Sequence, residues 1–297
     1  MKITIIGANS YIARNLIHLF DRDYSDAELF LYDVQEQHLD GYNQFECVDL
    51  LNKDECKKIN FDCDVIYVFA GKTGTLNGFK EYESFIKINE LVLLNILDTY
   101  LEKKSSAKII FPSTRLVYKG ANKLLTEEDE KEFKTVYSMS KYSCEQYLNM
   151  YNKIYNIPYA IFRICVPYGT MVEGATSYGT NDFMLGKAKN NEDIPLYGDG
   201  TIRRTLTNVE DLSNALIVGA VSKSCINDVY NIGGEDYSLK EMAQMIAEKY
   251  RVGITYKKWP DDALKIESGS TVFNSNKFDI ITNFKYNCKF QDWVKEK

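Results

Sequence analysis

Between residues 3 and 165, short apolar runs alternate with longer stretches in which apolar residues recur at helical spacing. The runs occupy 3–6, 28–32, 45–48, 65–70, 109–112 and 159–165. Helix-period stretches fall at 12–20, 82–101 and 138–155, the second marked by Phe85, Ile88, Val92, Ile96 and Leu97. Strands without polar alternation are those buried on both faces, and a helix between successive strands is the crossover that parallel pairing needs. The pattern predicts an α/β fold with a doubly wound parallel sheet covered by helices on both sides.

Beyond Pro167 the character changes. A stretch with Gly169, Gly174 and Gly179 precedes Asn181, and a Leu196-Tyr197-Gly198-Asp199-Gly200 segment comes after it. A helix at 209–221, a strand at 229–232 and a Ser238-capped helix at 238–249 complete the pattern. We expect residues 1–166 to form the main domain and 167–297 a smaller α/β domain, with part of 205–233 returning to the first. The 297 residues are 45% hydrophobic, ample for a large core. Lys and Arg number 36 against 42 Asp and Glu, so no basic face for a nucleic acid is indicated. Seven cysteines without a Cys-x-x-Cys pair, and only two histidines, predict reduced thiols and no metal site. No apolar run reaches the roughly 18 residues of a membrane span. Lys2-Ile3-Thr4-Ile5-Ile6 is too short for a signal-peptide core, so a cytoplasmic protein is expected.

Two segments carry candidate chemistry. After the first run comes Gly7-Ala8-Asn9-Ser10-Tyr11-Ile12-Ala13, small residues between a strand and a helix. A diphosphate can approach backbone N–H groups only where side chains are small, at a helix N-terminus. Asp33 ends the second run, about twenty residues on, where a carboxylate accepts from ribose hydroxyls and repels a 2′-phosphate; this predicts NAD over NADP. The second segment pairs Thr114 with Tyr137 and Lys141. Spacing of four puts Tyr137 and Lys141 on one helical face. A phenol with a pKa near 10 is a poor base at neutral pH, and a neighbouring ammonium is what would lower it. Thr114 would orient the reacting oxygen. Tyr100 and Lys104 show the same spacing without a hydroxyl-bearing strand before them, and are read as a solvated helix end.

Together these segments resemble the extended branch of the short-chain dehydrogenase/reductases, the NAD-dependent epimerases and dehydratases of nucleotide sugars. Gly7, Ser10 and Ala13 sit at the three positions of that family's Gly-x-x-Gly-x-x-Gly turn, with only the first still glycine. Thr114-Arg115-Leu116-Val117-Tyr118 is similar to its hydroxyl-x-x-Val-Tyr segment, and Phe162-Arg163 with Tyr168-Gly169 to its Leu-Arg…Tyr-Gly segment. Gly198-Asp199-Gly200 through Arg204 to Val209-Glu210-Asp211, and Tyr230-Asn231-Ile232-Gly233, match the later pattern. The resemblance implies a Rossmann-type sheet binding NAD, a smaller substrate domain, a nucleotide-diphosphate sugar in the cleft and a homodimer built on the helices at 82–101 and 138–155. It implies cofactor contacts at Gly7, Asn9, Ser10, Tyr11, Ile12, Ala13, Asp33, Asp49, Leu50, Phe69, Ala70, Gly71, Lys72, Asn89, Tyr137 and Lys141. Catalysis falls to Thr114, Tyr137 and Lys141. Substrate contacts fall to Ser113, Thr114, Arg115, Asn181, Tyr197 and Arg204, the last as a diphosphate clamp.

Three activities are compatible with this pattern: a 4-epimerase working through a transient 4-keto sugar, a 4-ketoreductase making a deoxysugar nucleotide, or an inactive dinucleotide-binding regulator. The intact Thr114, Tyr137 and Lys141 argue against the regulator. The 4,6-dehydratases of the family carry Asp-Glu after the active-site Thr, whereas this chain has Arg115-Leu116, which argues against dehydration.

Overall fold

The computed structural model describes residues 1–177 and 179–297. Seven strands form one parallel sheet in the spatial order Phe45–Cys47, Glu28–Asp33, Lys2–Ile6, Val65–Val68, Lys108–Thr114, Tyr159–Ile164, Asp228–Asn231. The chain starts in the middle, winds to one edge, then returns and winds to the other. This is the doubly wound Rossmann-type α/β fold, and its ligand crevice lies beside the first strand, where the winding reverses.

Side-chain alternation separates the two faces. Val65, Tyr67 and Ile110 join Leu16, Phe20, Leu212 and Leu216 in one buried cluster, under the helices Tyr11–Asp23 and Val209–Val221. Ile66, Val68, Ile109 and Phe111 join Leu93, Ile96, Leu97 and Leu148 on the other face, under Val92–Glu102 and Val136–Tyr155. Period-two patterning within wholly apolar strands thus serves two cores at once.

The predicted helix at 82–101 is not regular. Tyr82–Phe85 and Val92–Glu102 are α-helical, but Ile86–Leu91 between them is a π-helical segment. Tyr100 near its end is 3% exposed, and its hydroxyl donates to the Ala107 carbonyl at 2.9 Å. The expectation of a solvated helix end holds for neither its ring nor its hydroxyl.

A third buried cluster lies outside the large sheet, around Tyr118, Tyr168, Met184, Leu196, Leu206, Met242, Ile246 and Phe290. Around it stand the helices Thr180–Lys189, Leu239–Tyr250 and Phe290–Glu296 and a mixed sheet of Glu235–Ser238, Arg203–Asn208 and Val166–Tyr168. Ile194–Tyr197 pairs with Ile254–Lys257, and Leu124–Leu125 with Val272–Phe273. Among the described residues no helix is long and apolar enough to cross a membrane, and no group of three metal-binding side chains is assembled.

Lys108 joins the sheet to a covering helix. It is buried, and its ammonium donates to the carbonyls of Gly219 (2.7 Å), Ala220 (3.3 Å) and Ser222 (3.0 Å). These are the carbonyls that the end of Val209–Val221 leaves without intrahelical partners. Burial pushes the Lys108 pKa down, against a smaller opposing pull from Cys225. We predict that Lys108→Met lowers unfolding stability by about 1–3 kcal/mol, the cost of orphaning buried acceptors, as read by urea denaturation. Equal stability would show that these carbonyls find other partners.

Candidate active site at the carboxyl edge of the sheet

Three strand ends meet at the winding reversal. The Gly7 and Ala8 N–H groups donate to the Tyr32 carbonyl (2.8 and 3.0 Å), and those of Phe69 and Ala70 to the Ile6 carbonyl (2.7 and 3.0 Å). Gly7 has φ +81, and a Cβ there would sit 2.3 Å from the Ala70 nitrogen. The crevice is therefore closed to any other residue at position 7. Ser10 caps the helix Tyr11–Asp23, its hydroxyl accepting from the Ala13 N–H at 3.4 Å, and Ala13 is fully buried. The first N–H groups of a helix have no intrahelical acceptor, so those of Tyr11 and Ile12 are the donors offered to an anion. The Tyr11 side chain turns elsewhere: its hydroxyl donates to the Gly169 carbonyl at 2.6 Å.

Asp33 ends its strand half-buried. One oxygen accepts from the Asn9 N–H at 3.0 Å and the other from the Gln35 N–H at 3.3 Å, leaving lone pairs open. The Asn9 side chain holds the next loop through the Leu39 N–H (2.9 Å), Gln35 and Gln37. That loop has an anchor not foreseen in the sequence. Arg14 forks onto Asp40 (Nε 2.9 Å, Nη2 2.5 Å) and reaches the Glu173 carbonyl at 2.8 Å, while buried His38 lies against the Ala8 carbonyl at 3.3 Å. Asp40 lies outside the strand and has no periodic signal to mark it.

Asp49 is exposed, with one oxygen taken by the Leu51 N–H at 3.0 Å. The buried Leu50 offers its carbonyl to Asn95 at 2.9 Å. Phe69, Ala70 and Gly71 come directly after the fourth strand, and Gly71 faces Asn89, whose Oδ1 would lie 3.2 Å from an added Cβ. Asn89 clamps the backbone of Lys72, accepting its N–H at 2.6 Å and donating to its carbonyl at 3.1 Å. It also donates to Ser140 at 3.0 Å. The Lys72 ammonium pairs with Glu81. Asn89 thus shapes the loop from beneath.

Thr114 is the last residue of its strand and 7% exposed. Tyr137 and Lys141 lie in the first two turns of Val136–Tyr155, opened by a Thr135–Ser138 capping box. Burial pushes the Tyr137 phenol up to about 12, against the pull of its Thr114 hydrogen bond and of the Arg115 charge. Burial pushes Lys141 down to about 8, which Cys144 and Glu145 partly oppose. The Lys141 ammonium lies 3.9 Å from the centroid of the Phe111 ring. Ser113, expected to face substrate, instead donates its hydroxyl to Glu145 at 2.5 Å inside the core.

On the far side of the cleft, Arg204 is 3% exposed and already engaged. Its guanidinium donates to Glu267 (2.7 Å) and to the carbonyls of Gly269 (2.5 Å) and Arg203 (3.0 Å). Arg115 reaches Ser268 at 3.3 Å. Asn181, in the first turn of Thr180–Lys189, is 1% exposed, and among the described residues neither Oδ1 nor Nδ2 has a partner. Orphaned buried amides are rare, and each calls for a partner such as an ordered water or a bound group. Tyr197 packs its ring on Trp259 at 5.3 Å and makes no hydrogen bond among the described residues.

A profile of the NAD dependent epimerase/dehydratase family matches residues 3–233. A protein of Methanocaldococcus jannaschii with a provisional UDP-glucose 4-epimerase assignment is 28% identical over 257 residues, 84% of this chain and 82% of its own. Two solved structures share the fold. The UDP-glucuronic acid 4-epimerase of Bacillus cereus, in complex with UDP-glucuronic acid and NAD, has a TM-score of 0.85 at 21% identity, covering 99% of this chain and 97% of its own. The UDP-N-acetylglucosamine 4-epimerase of Methanobrevibacter ruminantium, in complex with UDP-N-acetylmuramic acid, has a TM-score of 0.85 at 20% identity, covering 99% and 96%.

A buried ammonium whose pKa is depressed destabilises the fold wherever the unfolded chain holds the proton more readily. For Lys141 that penalty is complete below about pH 8 and fades as pH rises toward the ordinary lysine value of 10.5. We predict that Lys141→Met stabilises the protein by about 1–3 kcal/mol at pH 7, the shift offset in part by the lost ring contact. The gap to wild type should narrow between pH 8 and 10.5 in urea titrations. A variant less stable than wild type at pH 7 would contradict this account.

Proposed function

Because the chain belongs to the NAD dependent epimerase/dehydratase family, we propose that it is a nucleotide-sugar 4-epimerase in which Thr114, Tyr137 and Lys141 surround the reacting carbon. The observation that supports it is a strand-end hydroxyl at Thr114, on the carboxyl edge of the sheet that also carries the Gly7 turn, with a phenol and an ammonium one turn apart at the start of the next helix. The residues fit the dinucleotide. Gly7 lets the turn after the first strand pack directly on the Phe69-Ala70 backbone, the first N–H groups of the helix Tyr11–Asp23 have no intrahelical acceptor, and Asp33 keeps lone pairs for a ribose.

NAD supplies the reversible two-electron oxidation of a secondary alcohol. Tyr137 takes the proton of the C4 hydroxyl and later returns it, so a phenol held at about 12 must be brought down during the reaction. The Thr114 hydrogen bond and the Arg115 charge already pull in that direction, and Lys141, one turn along the same helix, is the ammonium assigned to assist them. Thr114 orients the sugar oxygen. Arg204 and Asn181 hold the diphosphate, with Tyr197 further along the cap, so the sugar can turn while the nucleotide stays fixed. UDP, shared by the names of all three relatives above, is the nucleotide we assign. A 4-ketoreductase would use the same groups once; the carboxylate of Asp33 favours NAD and therefore the epimerase.

In this scheme residues 1–166, with the returning part of 205–233, form the cofactor unit and the remainder the cap. The exposed apolar residues Ile86, Leu91, Met150, Ile154 and Tyr155 on the helices at 82–102 and 136–155 suit a homodimer.

Two measurements test the assignment. Tyr137→Phe keeps the ring and removes the proton carrier, so turnover on UDP-sugars should fall about 10²–10⁴-fold with NAD still bound. Tyr100→Phe, with the same local sequence spacing, should lose only about 0.5–1.5 kcal/mol of stability through its Ala107 bond and keep its turnover. Full turnover in Tyr137→Phe would end the proposal. Fluorescence titration should also show wild type binding NAD(H) more tightly than NADP(H), with Asp33→Ala narrowing the gap. Tighter NADP(H) binding by wild type would overturn the role given to Asp33.

A further inference from the structure

We infer that Arg115 selects a sugar bearing a carboxylate at C6, so that the substrate class is a nucleoside-diphosphate hexuronate. This rests on the proposed placement of the C4 oxygen between Thr114 and Tyr137.

Arg115 directly succeeds Thr114 and opens the short turn Arg115–Val117. A guanidinium has five donors, yet among the described residues Arg115 makes one hydrogen bond, to the neutral Ser268 hydroxyl at 3.3 Å. It has no ion pair among them. The carboxylate that acts on it, Glu267, is taken by Arg204 at 2.7 Å and by the Gly269 N–H at 2.9 Å. Two guanidiniums therefore share one acid, and Arg204 is close enough to repel Arg115. Burial and that repulsion push Arg115 down to about 10. A half-buried cation in this position costs free energy that a bound anion would recover.

Ring geometry identifies the anion. In a hexopyranose the diphosphate is carried on C1, across the ring from C4, while C6 is attached to C5, the neighbour of C4. Arg204 and Asn181 are assigned to the C1 end. Arg115 directly succeeds Thr114 at the end of the strand, and this adjacency is what assigns it to the C4 end. A planar fork beside C4 matches a carboxylate with two parallel hydrogen bonds. A neutral hydroxymethyl group at C6 would leave the charge unmatched.

The test uses the NAD-loaded protein and two probes, UDP-glucuronate and UDP-glucose, with calorimetric Kd values and turnover for each. Wild type should bind UDP-glucuronate about ten- to a hundredfold more tightly, the worth of a charged hydrogen bond. In Arg115→Met the ratio of the two Kd values should collapse toward one. Arg115→Lys, which keeps the charge, should retain most of the preference and guards against a folding defect. Equal wild-type affinities overturn the inference, as does a ratio that survives in Arg115→Met while both Kd values rise in parallel, which would make Arg115 part of the diphosphate clamp. If UDP-glucose is epimerised without any preference, the inference falls and the epimerase reading stands. If neither sugar binds, both fall.

Discussion

Glu145 is the point from which the carboxyl edge of the sheet and the helix Val136–Tyr155 are positioned. Its carboxylate, with a side chain 1% exposed, accepts Arg163 through Nε at 3.0 Å and Nη2 at 2.6 Å, and the Ser113 hydroxyl at 2.5 Å. It lies one turn beyond Lys141 and two beyond Tyr137 on the same helix. The ion pair therefore sets the height of that helix against the strands that carry Thr114 and Arg163. From Arg163 the bonding continues to the Tyr118 hydroxyl (2.7 Å), on to Asn231 (2.7 Å), and from the Asn231 N–H to Glu127 (2.7 Å). A buried pair like this adds little net stability, but losing one partner strands a charge at a cost of about 3–5 kcal/mol. Its yield is registration: the network cannot slip by a turn without leaving several members unbonded.

That network explains which parts of the molecule could be read from the sequence. Thr114 to Tyr118, Phe162-Arg163 and Tyr230-Asn231 look like three separate motifs in the chain, yet Tyr118, Arg163 and Asn231 are consecutive links in one chain of hydrogen bonds. The parallel strands were legible because each is wholly apolar. Arg203–Asn208 was not, although its four central residues are buried, because its sequence is polar and most of the side-chain bonds that permit burial are long-range. Thr205 accepts from the Phe273 N–H at 2.8 Å, Thr207 donates to the Gly233 carbonyl at 2.6 Å, and Arg204 is held by Glu267. Ser113 shows the same limit at the scale of one side chain. Spacing places its strand, but the partner that turns its hydroxyl inward lies 32 residues away.

The cleft also carries an internal opposition. In the proposed reaction Tyr137 loses a proton where burial raises its pKa, and Lys141 keeps one where burial lowers its own. Both shifts come from the same exclusion of water. A more open cleft would ease each group and weaken the charge interactions that make the pair useful, since those grow as the local dielectric falls. Under the proposed function, the site gives up stability for reactivity.

The wide turn at Ile86–Leu91 has a consequence for how this chain can change length. A π segment holds roughly one residue more per turn than an α-helix, so it is a tolerated insertion within an otherwise regular helix. Here the extra residue separates two demands. Val92–Glu102 keeps its apolar face in the core, while Asn89 stays aimed at Lys72 and its carbonyl accepts the Cys144 thiol at 3.2 Å. Excising one residue would restore regular winding and rotate everything before the cut by about 100° relative to the residues after it. Packing could survive that excision, but Asn89 would face solvent and the loop beneath the crevice would lose its clamp. In this chain a one-residue deletion inside that turn would cost the clamp on Lys72 rather than the helix itself.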